Sequence, residues 1–156
     1  MATPDYDQIE LGILFRNKKL TKLPEDIHKY TKLEILDCNF NYLTELDNLP
    51  QSVKVLKCSD NKITQLDNLP PNLYFLNCDN TSITQLDNLP QSLKILECSF
   101  NKLTHLDNLP FELVELYCDN CNLTQLDNLP PYLKKLDCEA NKIIQLNNLP
   151  PTLEKL

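Results

Sequence analysis

The chain has 156 residues, the size of one domain, and a net charge of −7. An acidic balance gives no basic field to displace counterions from nucleic acid, so DNA and RNA are not expected partners. No apolar stretch approaches the length of a membrane span, and a single glycine, Gly12, excludes a glycine-rich phosphate loop.

Residues 1–9 read as a short N-terminal segment, too short for a helical cap. Met1-Ala2-Thr3-Pro4-Asp5 lacks the basic stretch and apolar run of a secretory leader. Residues 10–30 read as an atypical first repeat. Ile13, Phe15 and Leu20 are its expected inward side chains. Its phrase Leu20-Thr21-Lys22-Leu23-Pro24 begins a unit of 23 residues ending at Leu43, longer than those that follow. Pro24 suits the first position of a helical turn.

From residue 31 to 150 the chain repeats itself six times with a period of 20 residues. Leu-Asp-Asn-Leu-Pro stands at 46–50, 66–70, 86–90, 106–110 and 126–130, and returns as Leu-Asn-Asn-Leu-Pro at 146–150. A second phrase, Leu-x-x-Leu-x-Cys-x-x-Asn-x-Leu, runs in step with it. A short fixed period predicts a solenoid, in which each unit covers the core of its neighbour. Within a unit, Leu33, Leu36 and Cys38 are expected to point inward from a short strand, and Leu43, Leu46 and Leu49 continue the inward set. The column Asn41, Asn61, Thr81, Asn101, Cys121, Asn141 is small and able to bond backbone from inside a turn. Cys38, Cys58, Cys78, Cys98, Cys118 and Cys138 form another column. Stacked strands lie about 4.8 Å apart, wider than the Cβ separation of roughly 3.8 Å that a disulfide prefers. Reduced thiols acting as small apolar residues are therefore expected, which implies a reducing compartment. Residues 151–156 begin a further repeat.

A longer period overlies the short one. Residues 51–90 match 91–130 at Gln51-Ser52 and Gln91-Ser92, at Ser59 and Ser99, and at Asp79-Asn80 and Asp119-Asn120. Surface columns are expected to alternate in chemistry accordingly.

The remainder of each unit is too short for a long helix, and the Asp-Asn-Leu-Pro phrase disfavours one. The combination resembles the leucine-rich repeat family. More narrowly, it is similar to the 20-residue repeats of bacterial virulence effectors, of the recognition halves of secreted ubiquitin ligases, and of large DNA viruses of amoebae. Those effectors carry Leu-Pro-x-Leu-Pro, where this chain has Asp or Asn in place of the first proline. The resemblance implies an α/β-class leucine-rich repeat solenoid, mostly β. It would be one domain over 1–156, with a curved parallel sheet on the concave face. The convex side would be extended or polyproline-like, with little helix.

Outward strand positions supply the candidate site. One column reads Ile35, Val55, Phe75, Ile95, then Glu115 and Lys135. Its apolar part, flanked by Tyr74, Phe100 and Tyr117, has the composition of a protein-binding patch. The competing reading is that these residues pack at the strand starts. Asp79, Asp119 and Glu139 lie in another outward column and would favour a basic partner, against the plainer reading of a solvated face. The Asp47, Asp67, Asp87, Asp107 and Asp127 ladder has the oxygen chemistry for calcium, but Asp-Asn pairs are ordinary turn residues, which is the reading adopted. Zinc needs ligands from several directions, whereas the cysteines share one. His28 and His105 belong to different repeats, and neither forms a nucleophile–base pair. No cofactor, metal or catalytic residue is expected. The leading expectation is a non-catalytic effector or adaptor. It would hold a protein on its concave face, in the cytoplasm or, for an effector or viral protein, the host cytosol. Two alternatives stand beside it. One is self-association through the C-terminal end, where Leu153 and Leu156 begin an uncapped strand. The other is a substrate-recognition fragment of a larger ubiquitin-ligase-like protein.

Overall fold

The computed structural model describes residues 12–156. The expected N-terminal segment 1–9 and the first two residues of the atypical repeat lie outside the described residues. Seven three-residue strands follow one another in a parallel sheet whose spatial order is their chain order. They are β1 (Gly12–Leu14), β2 (Ile35–Asp37), β3 (Val55–Lys57), β4 (Phe75–Asn77), β5 (Ile95–Glu97), β6 (Glu115–Tyr117) and β7 (Lys135–Asp137). Gly12 pairs with Ile35, a step of 23 residues; Ile35 with Val55 and every later pair step by 20. Beyond β7 a single bridge joins Lys135 to Lys155. The longer first step accommodates a 3-10 turn at Ile27–Lys29, opened by an Ile27 amide bond to the Pro24 carbonyl at 3.0 Å. It is the only helical element among the described residues, as the 20-residue period requires.

The core is the stack of inward columns. Leu33, Leu36, Cys38 and Leu43, with their equivalents through repeat five, are fully buried. Each such leucine contributes about 1.5–3 kcal/mol of burial, and the stacking makes the core continuous. The cysteines are all free thiols. Cys38, Cys58 and Cys78 point their Sγ at the carbonyl of the next strand, 3.3, 3.2 and 3.4 Å from Lys57, Asn77 and Glu97. Burial pushes the Cys38 thiol up to about 12, and holds Cys58, Cys78 and Cys98 well above the ordinary thiol range. These sulfurs are neutral packing groups with a weak donor, not nucleophiles.

The asparagine column closes the turn after each strand. Asn61 donates through Nδ2 to the carbonyls of Cys38, Cys58 and Ser59, and its Oδ1 accepts the Leu43 amide at 2.9 Å. Asn101 and Asn141 repeat this pattern one and two double units later. The intervening members differ. The Thr81 hydroxyl lies within hydrogen-bond distance of the Cys78 carbonyl and of Asn101 Oδ1, to either of which it can donate, and it has no carboxamide to bridge the three carbonyls that Asn61 bridges. Cys121 directs its thiol to the Cys98 carbonyl, and its sulfur faces the backbone of Asn101 and Leu103. The alternation in two-repeat units thus extends from the surface into the ladder.

Two further columns hold left-handed backbone without a single glycine. Asn48, Asn68, Asn88, Asn108, Asn128 and Asn148 have φ between 53 and 57°. Asparagine is the side chain that tolerates this conformation best, which explains the invariant second residue of Asp-Asn-Leu-Pro. The second column, just past the strand ends, is Asn17, Phe40, Asp60, Asn80, Phe100, Asn120 and Ala140. There Phe40 and Phe100 occupy a conformation that costs a bulky residue about 1–2 kcal/mol.

Candidate protein-binding surface

With Leu36 and its equivalents buried, the residues on either side of them face the open side of the sheet. The strand register sets Ile35, Val55, Phe75 and Ile95 shoulder to shoulder across β2 to β5, each half-buried. Gly12 adjoins Ile35 on β1 and has no side chain to cover it. The Lys57 ammonium lies 6.0 Å from the Phe75 ring centre, from the next column of the same face. The apolar stripe is thus a continuous strip of the open sheet, in part walled by its own neighbours.

Across β6 and β7 the same column changes character. Glu115 Oε1 accepts from Lys135 Nζ at 2.8 Å, and its Oε2 accepts from the Tyr117 hydroxyl at 2.8 Å. These donors hold the Glu115 carboxyl below the usual carboxylate range, while burial and the adjacent carboxylate raise the Tyr117 phenol. Tyr117 therefore belongs to a polar network on the sheet face.

The acidic column follows the strand ends. Asp79 Oδ1 accepts the Ser99 amide at 2.7 Å, and its Oδ2 accepts from Asn77 Nδ2. Asp119 accepts from the Ser99 hydroxyl and, at 2.8 Å, from Asn120. Burial, helped by Glu97 and Asp119 nearby, raises the Asp79 carboxyl to about 6. Glu139 is exposed. Asp79 and Asp119 are therefore built into the turns, which the plain reading of a solvated face did not anticipate.

The flanking aromatics separate. Phe100 stands on the rim, 55% exposed, in the left-handed column. Phe40 holds the equivalent place, with the Arg16 guanidinium 4.6 Å from its ring centre. Tyr74 lies in the column immediately before the strands, with Lys54 and Lys94 on either side of it. That lateral edge carries a feature the sequence reading missed. Phe111 and Tyr132 meet edge to face at 5.5 Å, and with Lys94, Val114 and Lys134 they line a groove of about 390 Å³. The available signal was departure from the repeat. Phe111 replaces the Gln or Pro of its column, and Tyr132 replaces Ser, Asn, Glu or Thr.

The aspartate ladder on the back of the repeats is exposed. Among the described residues no group of His, Cys, Asp and Glu is arranged to hold a metal ion, and no helix is long and apolar enough to cross a membrane. His105 faces Asp107 at 3.8 Å, and His28 Nδ1 lies 3.1 Å from the Glu25 carbonyl, in separate repeats. At the C-terminal face the core columns open: Leu149 is 38% exposed, and Ile143 and Leu146 are only partly buried, while Ile144, in the outward column of Thr104 and Thr124, is 97% exposed.

No family model matches the chain, and no curated protein matches it. Solved structures do. YopM, a leucine-rich effector protein from Yersinia pestis, is 33% identical with a TM-score of 0.78, over 92% of this chain and 46% of that one. The chain is a leucine-rich repeat solenoid. A Shigella effector leucine-rich repeat domain matches it at 27% identity and a TM-score of 0.76, over 90% of this chain and 62% of that domain. YopM from Yersinia enterocolitica WA-314 matches at 26% and 0.60, over 93% of this chain and 41% of that one. The leucine-rich repeat described here thus spans less than two thirds of each of these proteins. The expected bacterial-effector resemblance and the mostly β architecture both hold. In leucine-rich repeats the sheet lines the inner side of the horseshoe.

Proposed function

We propose that this leucine-rich repeat is a non-catalytic protein-binding module that acts as an effector or adaptor in a cytoplasm. It holds its partner on the open sheet face. The observation that carries this reading is the in-register, half-buried apolar stripe Ile35–Val55–Phe75–Ile95 on the open face of the sheet. An apolar strip with aromatic members and a polar rim is the composition that concentrates binding energy. The likeness to leucine-rich effector proteins supports the same class of function.

The test is affinity capture from cytosol with the wild-type chain beside a Phe75→Ser, Ile95→Ser double variant of unchanged circular dichroism. Cross-linking then maps the retained protein. A protein held by wild type alone and cross-linked near β3 to β5 supports the reading. Equal retention by both chains moves the site off the stripe.

A further inference from the structure

The rim of the sheet contains its own precedent for a ligand. The backbone bonds Asn17 to Asn39, and Phe40 to Ser59, set Arg16 in the same column as Asn39, Ser59, Asp79, Ser99, Asp119 and Glu139. For Phe40, the member of that column one repeat earlier is therefore Arg16, whose guanidinium stacks on the ring. For Phe100, the corresponding member is Asp79. The two phenyls share a backbone conformation, φ 57 and 55°, and both stand exposed beyond the strand ends. One has a cation over it and the other has a carboxylate beside it.

Around Phe100 the charge is unbalanced. Asp79 and Asp119 both bond to Ser99, the residue immediately before Phe100. Every donor to the two carboxylates is neutral: the Ser99 amide and hydroxyl, and the carboxamides of Asn77 and Asn120. Among the described residues no lysine or arginine pairs with either aspartate. Among the described residues, cations lie over Phe40, Phe75 and Tyr42, and none lies over Phe100. Carboxylate oxygens each accept more than one hydrogen bond, so both aspartates retain capacity.

We propose that Phe100, Asp79 and Asp119 form a receptor for a cationic side chain, arginine above all, presented by a protein partner. A guanidinium stacks on the phenyl as Arg16 does on Phe40, and its N–H groups donate to the flanking carboxylates. The column explains why a phenyl is kept there. Asn80 and Asn120 fill the same position with a side chain suited to its φ. The proposal rests on the reading of the open face as a protein-binding surface and specifies one contact of it.

The probe is a short labelled arginine-containing peptide, beside the same peptide with citrulline, the neutral isostere. Binding is read by fluorescence anisotropy and by the ring-proton NMR shifts of Phe100. The arginine peptide is expected to bind and to shift Phe100, and the citrulline peptide to do neither. Phe100→Asn and Asp119→Asn should each weaken binding about tenfold. Phe100→Asn keeps a residue that the fold already uses in that column, so loss of binding cannot be ascribed to unfolding. An Asp87→Asn, Asp127→Asn control, on the back of the repeats, removes twice the charge of Asp119→Asn and should change nothing. Asp79→Arg, which places a guanidinium where Arg16 stands beside Phe40, should block the site. Three results overturn the proposal: equal binding of citrulline, equal weakening by the control pair, or an unshifted Phe100. The capture experiment on the stripe answers separately, so failure of this contact and failure of the stripe are told apart.

Discussion

The two halves of the open sheet rest on the same core but carry different surfaces. Beneath β2 to β5 and beneath β6 and β7 alike, the inward leucines from Leu36 to Leu136 are buried almost completely. Above them, the first half shows Ile35, Val55, Phe75 and Ile95. The second shows Glu115 and Lys135 tied together with Tyr117. The inward columns are fixed by packing, so their chemistry cannot drift. The outward columns are not, and what they carry is free to follow function. In a repeat protein, fold and function are thus written in alternate residues.

The most damaging way to test this division is to strike the shared layer. Leu96→Asp buries a charge in the middle of the stack and is expected to cost more than about 4 kcal/mol. Hydrogen exchange should show protection lost around β4 to β6 before it is lost at either end, because each repeat leans only on its neighbours. Uniform loss along the chain would mean that the two halves melt as one. Asn101→Ala comes next. It removes three donations to backbone and the acceptor of the Ile83 amide, for roughly 2–4 kcal/mol in a denaturant titration. Thr81→Asn should move stability the other way, by up to about 1 kcal/mol, by restoring to the ladder a carboxamide that can bridge the turn carbonyls as Asn61 does.

Asp79→Asn is a smaller effect with a distinctive pH signature. The Asp79 carboxyl is raised to about 6, mainly by burial and also by Glu97 and Asp119. A raised carboxyl binds its proton more tightly in the folded state, so ionisation costs stability as pH climbs from the ordinary range near 4 to about 6. The variant should therefore exceed wild type by about 1 kcal/mol above pH 6, after allowance for partial exposure, and match it below pH 4. A difference independent of pH would assign the change to packing. Smallest of all should be the surface changes. Phe75→Ser and Ile95→Ser should each shift the midpoint by about 1 kcal/mol or less, while deciding whether the apolar half binds.

The inward half of this division was open to reading from the sequence. Leu36 and Cys38 recur unchanged every 20 residues, Asn41 with small and Leu43 with apolar replacements, and an interval of 20 with a proline near its end leaves room for one strand and no helix. The outward half was read less well. Tyr74 sits one residue before a strand, and that single step takes it off the sheet face to the lateral edge. Phe111 and Tyr132 are 21 positions apart, and only the stacking of repeats makes them one groove. Asp79 looked solvated because nothing in its neighbourhood announces the Ser99 amide, supplied from the next turn. Periodicity reports what every repeat shares. A surface site is made from what one repeat does differently, and its partners come from across the stack.

The ladders also have a direction. The thiols of Cys38, Cys58 and Cys78 donate toward the following strand, and Asn61, Asn101 and Asn141 reach back to the preceding one. Every unit therefore presents one set of fittings upward and its complement downward. Excision of residues 71–110 would bring together ends that fit as well as those removed, Asn61 facing Cys121 where it had faced Thr81. Insertion of a further pair of units would be as smooth. The reach of the open face is then a matter of how many units are copied. Evolution can lengthen or shorten the molecule like a modular ruler, in steps of two repeats, without redesigning a single joint.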